Sequence, residues 1–68
     1  MERLFEETME RIVAAIRSAG YEPYDQLYGY VKTGDDTYIT RSGDARKLIK
    51  ELESNQVWRF VEELRISK

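Results

Sequence analysis

A chain of 68 residues with neither cysteine nor histidine has few ways to hold a fold together. So short a chain buries a smaller fraction of its surface than a longer one, and its own core gives only marginal stability. Natural domains of this size usually add a disulfide, a metal or a partner chain. The missing residues exclude disulfides, thiolate zinc sites, thiolate nucleophiles and the imidazole general base. Self-association is the support that is easiest to supply. The length allows one domain over residues 1–68. The absence of cysteine fits a reducing cytoplasm, where we expect the protein to reside.

Eleven basic residues are mixed with thirteen acidic ones along the whole length, for a net charge of −2. No basic stripe rises above that background, which argues against a nucleic-acid partner. No apolar run approaches the roughly 18–20 residues of a membrane span, so no membrane insertion is expected. The N-terminus alternates charged and apolar residues, without the apolar stretch of a secretory leader.

From Glu2 to Ala19 the apolar residues are Leu4, Phe5, Met9, Ile12, Val13 and Ile16, with Ala15 and Ala19 beside them. Steps of three and four place them on one stripe of an amphipathic helix, and Gly20 supplies its stop. The next segment supports two readings. Pro23 suits a first helical position, and Tyr24, Leu27, Tyr28 and Val31 then follow at helical spacing. Against this, Tyr, Val and Thr prefer strands, and Gly29 weakens a helix by roughly 1 kcal/mol relative to Ala. We expect a short helix capped by Gly34, with Tyr38–Thr40 extended. The alternative is an α+β fold with a β-hairpin over 27–41. Ser42 is then the expected N-cap of a third helix with Ala45, Leu48, Ile49 and Leu52 inward. Ser54 or Asn55 caps a last helix facing inward through Val57, Phe60, Val61 and Leu64. Trp58 lies off that stripe, either as an interface anchor or folded back over the core. The expected fold is mainly α: a compact bundle of three to four short helices around a central Gly-Asp turn.

Little in the sequence supports catalysis. No histidine can activate a serine, and no Gly-x-Ser-x-Gly occurs. Asp35 and Asp36 read as turn residues, and nearby oxygen ligands are too few for a calcium loop. No cofactor or metal is expected. Five tyrosines lie between positions 21 and 38. Tyrosine offers a rigid contact area with a polar tip, so it suits both a small core and an interface. Tyr21, Leu27, Tyr28, Tyr30, Tyr38 and Ile39 are the expected core and dimer contacts, with Gly29, Gly34 and Asp35 shaping the turn. Arg46 is placed either to pair with Asp35 or Asp36, or to join Arg41 and Lys47 in recognising an anionic partner group.

One stretch resembles a known family. The run Gly20-Tyr21-x-Pro23-x-x-Gln26-Leu27-x-Gly29-Tyr30-Val31-x-Thr33-Gly34-Asp35-x-x-Tyr38-Ile39-Thr40, followed by Asp44-Ala45-Arg46-x-Leu48-Ile49 and Leu52-Glu53, is similar to the IreB family of small regulators from Gram-positive bacteria. The resemblance implies a cytoplasmic, non-catalytic homodimer. It also implies a substrate of a membrane Ser/Thr kinase and its phosphatase, acting as a negative regulator of envelope stress responses and cephalosporin resistance. Three departures stand out. The family's N-terminal arm with its phosphoacceptor threonines is expected to be absent or shortened, and Thr8 is expected inside the first helix, so no phosphosite carries over. Asp36 replaces the proline that usually follows Gly-Asp. The last helix diverges and carries Trp58 and Phe60.

Overall fold

A computed structural model describes residues 3–67, and the side chains of residues 4–66. Among the described residues there are four α-helices: α1 (Arg3–Ser18), α2 (Pro23–Thr33), α3 (Ala45–Lys50) and α4 (Ser54–Ser67). Two single 3-10 turns, Asp36–Tyr38 and Ser42–Asp44, fill the connection between α2 and α3. No strand occurs among the described residues, so the hairpin alternative over 27–41 is overturned. The expected start of the first helix at Glu2 lies outside the described residues.

The apolar stripe of α1 turns inward as its spacing requires. Phe5, Met9, Ile12, Val13 and Ile16 are buried. Leu4 is the correction: it is 70% exposed, because one step of a helical turn carries it off the stripe. The helix ends in a Schellman motif. Gly20 donates its N–H to the Arg17 carbonyl at 2.9 Å, and Tyr21 donates to Ile16 at 3.1 Å.

α2 starts as the proline suggests. Pro23 is its first residue, and the Glu22 carboxylate accepts from the Tyr24 N–H at 3.1 Å. Gly34 ends the helix in a left-handed conformation, φ 76°, and its N–H reaches the Tyr30 carbonyl. The stripe reading outweighed strand propensity here. Pro23 and Leu27 can be buried by a helix of this phase, while the Gly34 cap satisfies the Tyr30 carbonyl near the helix end.

The connection after Gly34 differs from expectation at two points. Tyr38 sits in the first 3-10 turn rather than in an extended strand, because the Asp35 side chain caps that turn. Extended backbone begins at Ile39, with φ −101° and ψ 132°. Ser42 does not cap α3 either. It opens the second 3-10 turn, and Asp44 occupies the cap position with φ 62° and no side-chain hydrogen bond. The α3 N-terminus is satisfied instead by the loop, since the Arg46 N–H donates to the Thr40 carbonyl at 3.1 Å. At the start of α4, the amides of Gln56 and Val57 both reach the Glu53 carbonyl, so Ser54 and Asn55 lie inside the first turn.

Packing pairs α1 with α3 and α2 with α4. One cluster joins the pairs: Leu27, Ile39, Ala45, Ile49, Val57 and Val61 are all buried with the α1 stripe. No polar or charged residue is buried among those described. α2 and α4 run antiparallel, because Tyr24 faces the Arg65 end of α4 while Lys32 faces its Ser54 end.

Gly43 closes the approach of the second 3-10 turn to α1. Its φ is 59°, and a Cβ there would stand 2.9 Å from the Ala15 Cβ. Gly43→Ala therefore combines a left-handed alanine with overpacking. It should lower stability by about 2–4 kcal/mol, read as a reduced urea midpoint at unchanged slope.

Candidate functional site

Two surfaces carry side chains whose chemistry exceeds what packing needs. The first is the α2–α3 connection. Its central turn is built from side-chain bonds. The Thr33 hydroxyl donates to the Gly29 carbonyl at 2.7 Å and accepts from the Asp35 N–H at 3.1 Å. The Asp35 carboxylate accepts from the Thr37 hydroxyl at 2.7 Å and from the Thr37 N–H at 3.0 Å. The hydroxyl bond foremost, then the amide bond, hold this carboxyl below the usual aspartate range, with a smaller contribution from the charge of Arg46. Gly29 leaves room for Tyr38: a Cβ there would fall 2.5 Å from the Tyr38 ring.

Beyond the turn, Ile39 is fully buried while its neighbours reach outward. Gln26 of α2 accepts from the Thr40 N–H through Oε1 at 2.9 Å. Arg46 of α3 donates from Nε to the Ile39 carbonyl at 3.0 Å. Of the expected Arg–Asp pairing there remains the charge effect of Arg46 on Asp35. Asp36 pairs with Lys50, at 3.2 Å, and the Arg46 guanidinium is spent partly on backbone. The exposed Lys50–Asp36 pair adds little stability.

These bonds shape an open cavity of about 580 Å³ floored by Ile39 and Thr40. Arg41, Arg46, Tyr21, Gln26, Thr37 and Ser42 form its walls. No carboxylate lines it. Lys47 does not reach this cavity. It lies on the adjoining surface with Asp44 and Lys50, which Arg41 and Arg46 also border.

The second surface is aromatic. Tyr24 stacks on Tyr28 one turn along α2, with centroids 5.6 Å apart. Tyr28 stacks in turn on Trp58 of α4 at 6.2 Å, and Lys32 stands over the Tyr28 ring at 5.5 Å. Trp58 nevertheless stays 40% exposed and Tyr28 36%. Val61, Glu62 and Arg65 complete a groove of about 210 Å³ beside them.

The structure distributes the residues singled out from the sequence. Leu27 and Ile39 lie in the core, and Tyr30 is half-buried against it. Tyr21 stands on the arginine cavity, Tyr38 on Gly29, and Tyr28 on the aromatic surface. Tyr24 was missed as a surface residue, although its spacing of four from Tyr28 announces the stack. Gln26 was missed because its partner, Thr40, is brought close only by the folded loop. No group of three or more potential metal-ligating side chains occurs among the described residues.

Residues 1–65 match the family model described as IreB regulatory phosphoprotein. The chain belongs to the IreB family. The match spans both surfaces, and the helical bundle described above is therefore the fold of an IreB-like regulatory protein. No described helix of this IreB-family chain is long and apolar enough to cross a membrane.

The Asp35 turn yields a pH prediction. A carboxyl whose pKa is depressed by folding stabilises the turn above the ordinary aspartate range. That contribution is lost as pH falls through the lowered folded value. Thr37→Val removes the hydroxyl donor, so the Asp35 titration midpoint should rise towards the ordinary value. Carboxyl 13C NMR against pH reads this directly.

Proposed function

We propose that this chain is a non-catalytic regulator that acts in the cytoplasm as a homodimer. It serves as a single module over residues 1–68 in the pathway of a membrane Ser/Thr kinase and its phosphatase. In that pathway it restrains an envelope stress response, including intrinsic cephalosporin resistance. Membership in a regulatory phosphoprotein family supports the phosphorylation-linked role.

The observation that carries the dimer reading is the aromatic surface. Three stacked rings lie partly in water on a chain that has no disulfide and only a small core. Half-exposed Trp and Tyr beside a groove have the anatomy of an interface centre, and charged residues rim them. Lys32 stands at one end of the antiparallel α2–α4 pair and Glu62 towards the other. A two-fold axis through Tyr28 and Trp58 would bring each lysine towards the partner's glutamate, as an isologous contact requires.

Sedimentation equilibrium at micromolar concentration should give twice the 8.1 kDa chain mass. Trp58→Glu should shift that equilibrium to the monomer by about 2 kcal/mol or more, with the helical circular dichroism retained. An 8.1 kDa species alone in the unmodified protein would overturn the dimer.

The kinase role has its own test. Incubation with the catalytic domain of a bacterial membrane Ser/Thr kinase and ATP should add phosphoryl mass to the intact chain. The cognate phosphatase should remove it. A chain that gains no mass would leave an adaptor without this switch.

A further inference from the structure

The arginine cavity is the local exception in an acidic chain. Thirteen carboxylates are spread over the sequence, yet two guanidinium groups share a cavity that no carboxylate lines. Arg46 is held by backbone carbonyls of the loop. Its Nε is fixed on the Ile39 carbonyl and its backbone N–H on the Thr40 carbonyl. The side chain is half-buried; Asp35 feels its charge and Asp44 borders the adjoining surface of both arginines, but no carboxylate lines the cavity itself. A guanidinium anchored through Nε keeps its terminal N–H groups as a planar fork suited to an oxyanion.

Neutral donors stand beside the fork. Gln26 spends Oε1 on the Thr40 N–H, which leaves its amide NH₂ as a donor. Ser42 adds a hydroxyl and Tyr21 a phenol. A carboxylate has two oxygens to offer such a set, whereas a phosphate monoester has three strongly accepting oxygens and close to two charges at neutral pH. Asp35 lies outside the cavity lining, on the neighbouring turn, where it feels the charge of Arg46. Its carboxylate is bonded to Thr37, and it would repel an anion seated too near the turn. The preferred seat is therefore on the Arg41 side of Arg46. Tyr21 is 54% exposed at the rim and gives a flat wall for residues flanking the phosphate.

We infer that this cavity binds a phosphorylated serine or threonine side chain presented by a protein segment, with Arg46 as the oriented anchor and Arg41 as the second cation. The protein segment, as opposed to a small phosphorylated molecule, rests on the proposed kinase pathway, in which a phosphorylated serine or threonine side chain is the signal produced.

The test is an amide NMR titration of the full chain at low ionic strength with N-acetyl-O-phosphothreonine methylamide. Saturable shifts should appear over residues 37–46 with a dissociation constant on the order of millimolar. Arg41→Ala, an exposed change that removes no hydrogen bond of the fold, should weaken binding by about fivefold or more. Arg46→Lys keeps the charge without the fork and should weaken it at least as much. The unphosphorylated compound should produce no saturable shift. Absence of saturation, shifts centred on Lys47 and Lys50, or an Arg41→Ala affinity equal to that of the unmodified chain would overturn the site. Inorganic phosphate or ribose 5-phosphate binding as tightly as the phosphothreonine probe would overturn the protein-segment assignment. The kinase role fails separately, by the absence of mass gain in the intact chain, and that result does not bear on whether the cavity takes the probe.

Discussion

Ile39 is the residue on which the rest of the structure depends. It lies in non-helical backbone and is fully buried, so its segment enters the core without a regular hydrogen-bond ladder. Buried backbone polar groups must find partners elsewhere. α2 and α3 provide them: Gln26 takes the Thr40 N–H, and Arg46 supplies a donor to the Ile39 carbonyl. The α2–α3 connection is thereby converted from a loop into a strut between two helices. Burial of one isoleucine side chain stabilises by about 1.5–3 kcal/mol, which is a large share of what a marginal domain has. The same two bonds that permit this burial also aim the arginine cavity. Core stability and site geometry are therefore properties of one arrangement.

The helices were legible because their signals are local. The three- and four-residue spacing of Phe5, Met9, Ile12, Val13 and Ile16 needs no knowledge of any other element. Gly20 and Gly34 likewise stop helices through geometry that a single residue supplies. Leu4, exposed at the edge of the stripe, was less legible, since a stripe's edge depends on what packs against it. The α2–α3 connection was less legible for a physical reason. Whether 27–41 pairs as a hairpin or runs as helix and turns depends on the burial of Leu27 and Ile39 in a shared core, which spacing alone cannot decide. Ser42 illustrates the same point. Its type suits an N-cap, yet Thr40 already satisfies the α3 amide, and Gly43 packs on Ala15 only if the turn swings inward. Of the candidate sites, the presence of tyrosines and arginines was visible. Their division into an aromatic surface and a cavity was not, because Trp58 meets Tyr28 across α2 and α4.

The two surfaces obey different physics. The aromatic one is held by stacked rings and apolar contact, which respond weakly to ionic strength. The arginine cavity relies on charge, and salt screens it over roughly 10 Å at 0.1 M. They share no lining residue. A protein that must hold one partner constantly and another only on signal gains from this separation. Occupation of the charged site need not disturb the aromatic one, whose rings belong to the other side of α2.

Arg46 nevertheless ties the charged site to the fold. An anion that binds only the folded chain stabilises it by mass action, and the stabilisation grows with the logarithm of its concentration. Because Arg46 holds the Ile39 carbonyl through Nε, a group seated on its remaining N–H donors would fix the guanidinium further in the orientation that keeps Ile39 buried. Linkage then runs in both directions: a loosened Ile39 seat lowers anion affinity, and a bound anion tightens the seat. In so small a domain no spare layer of structure separates a surface group from the core. A single guanidinium can therefore act as ligand donor and backbone cap at once, and chemistry at the cavity is felt by the bundle through one hydrogen bond.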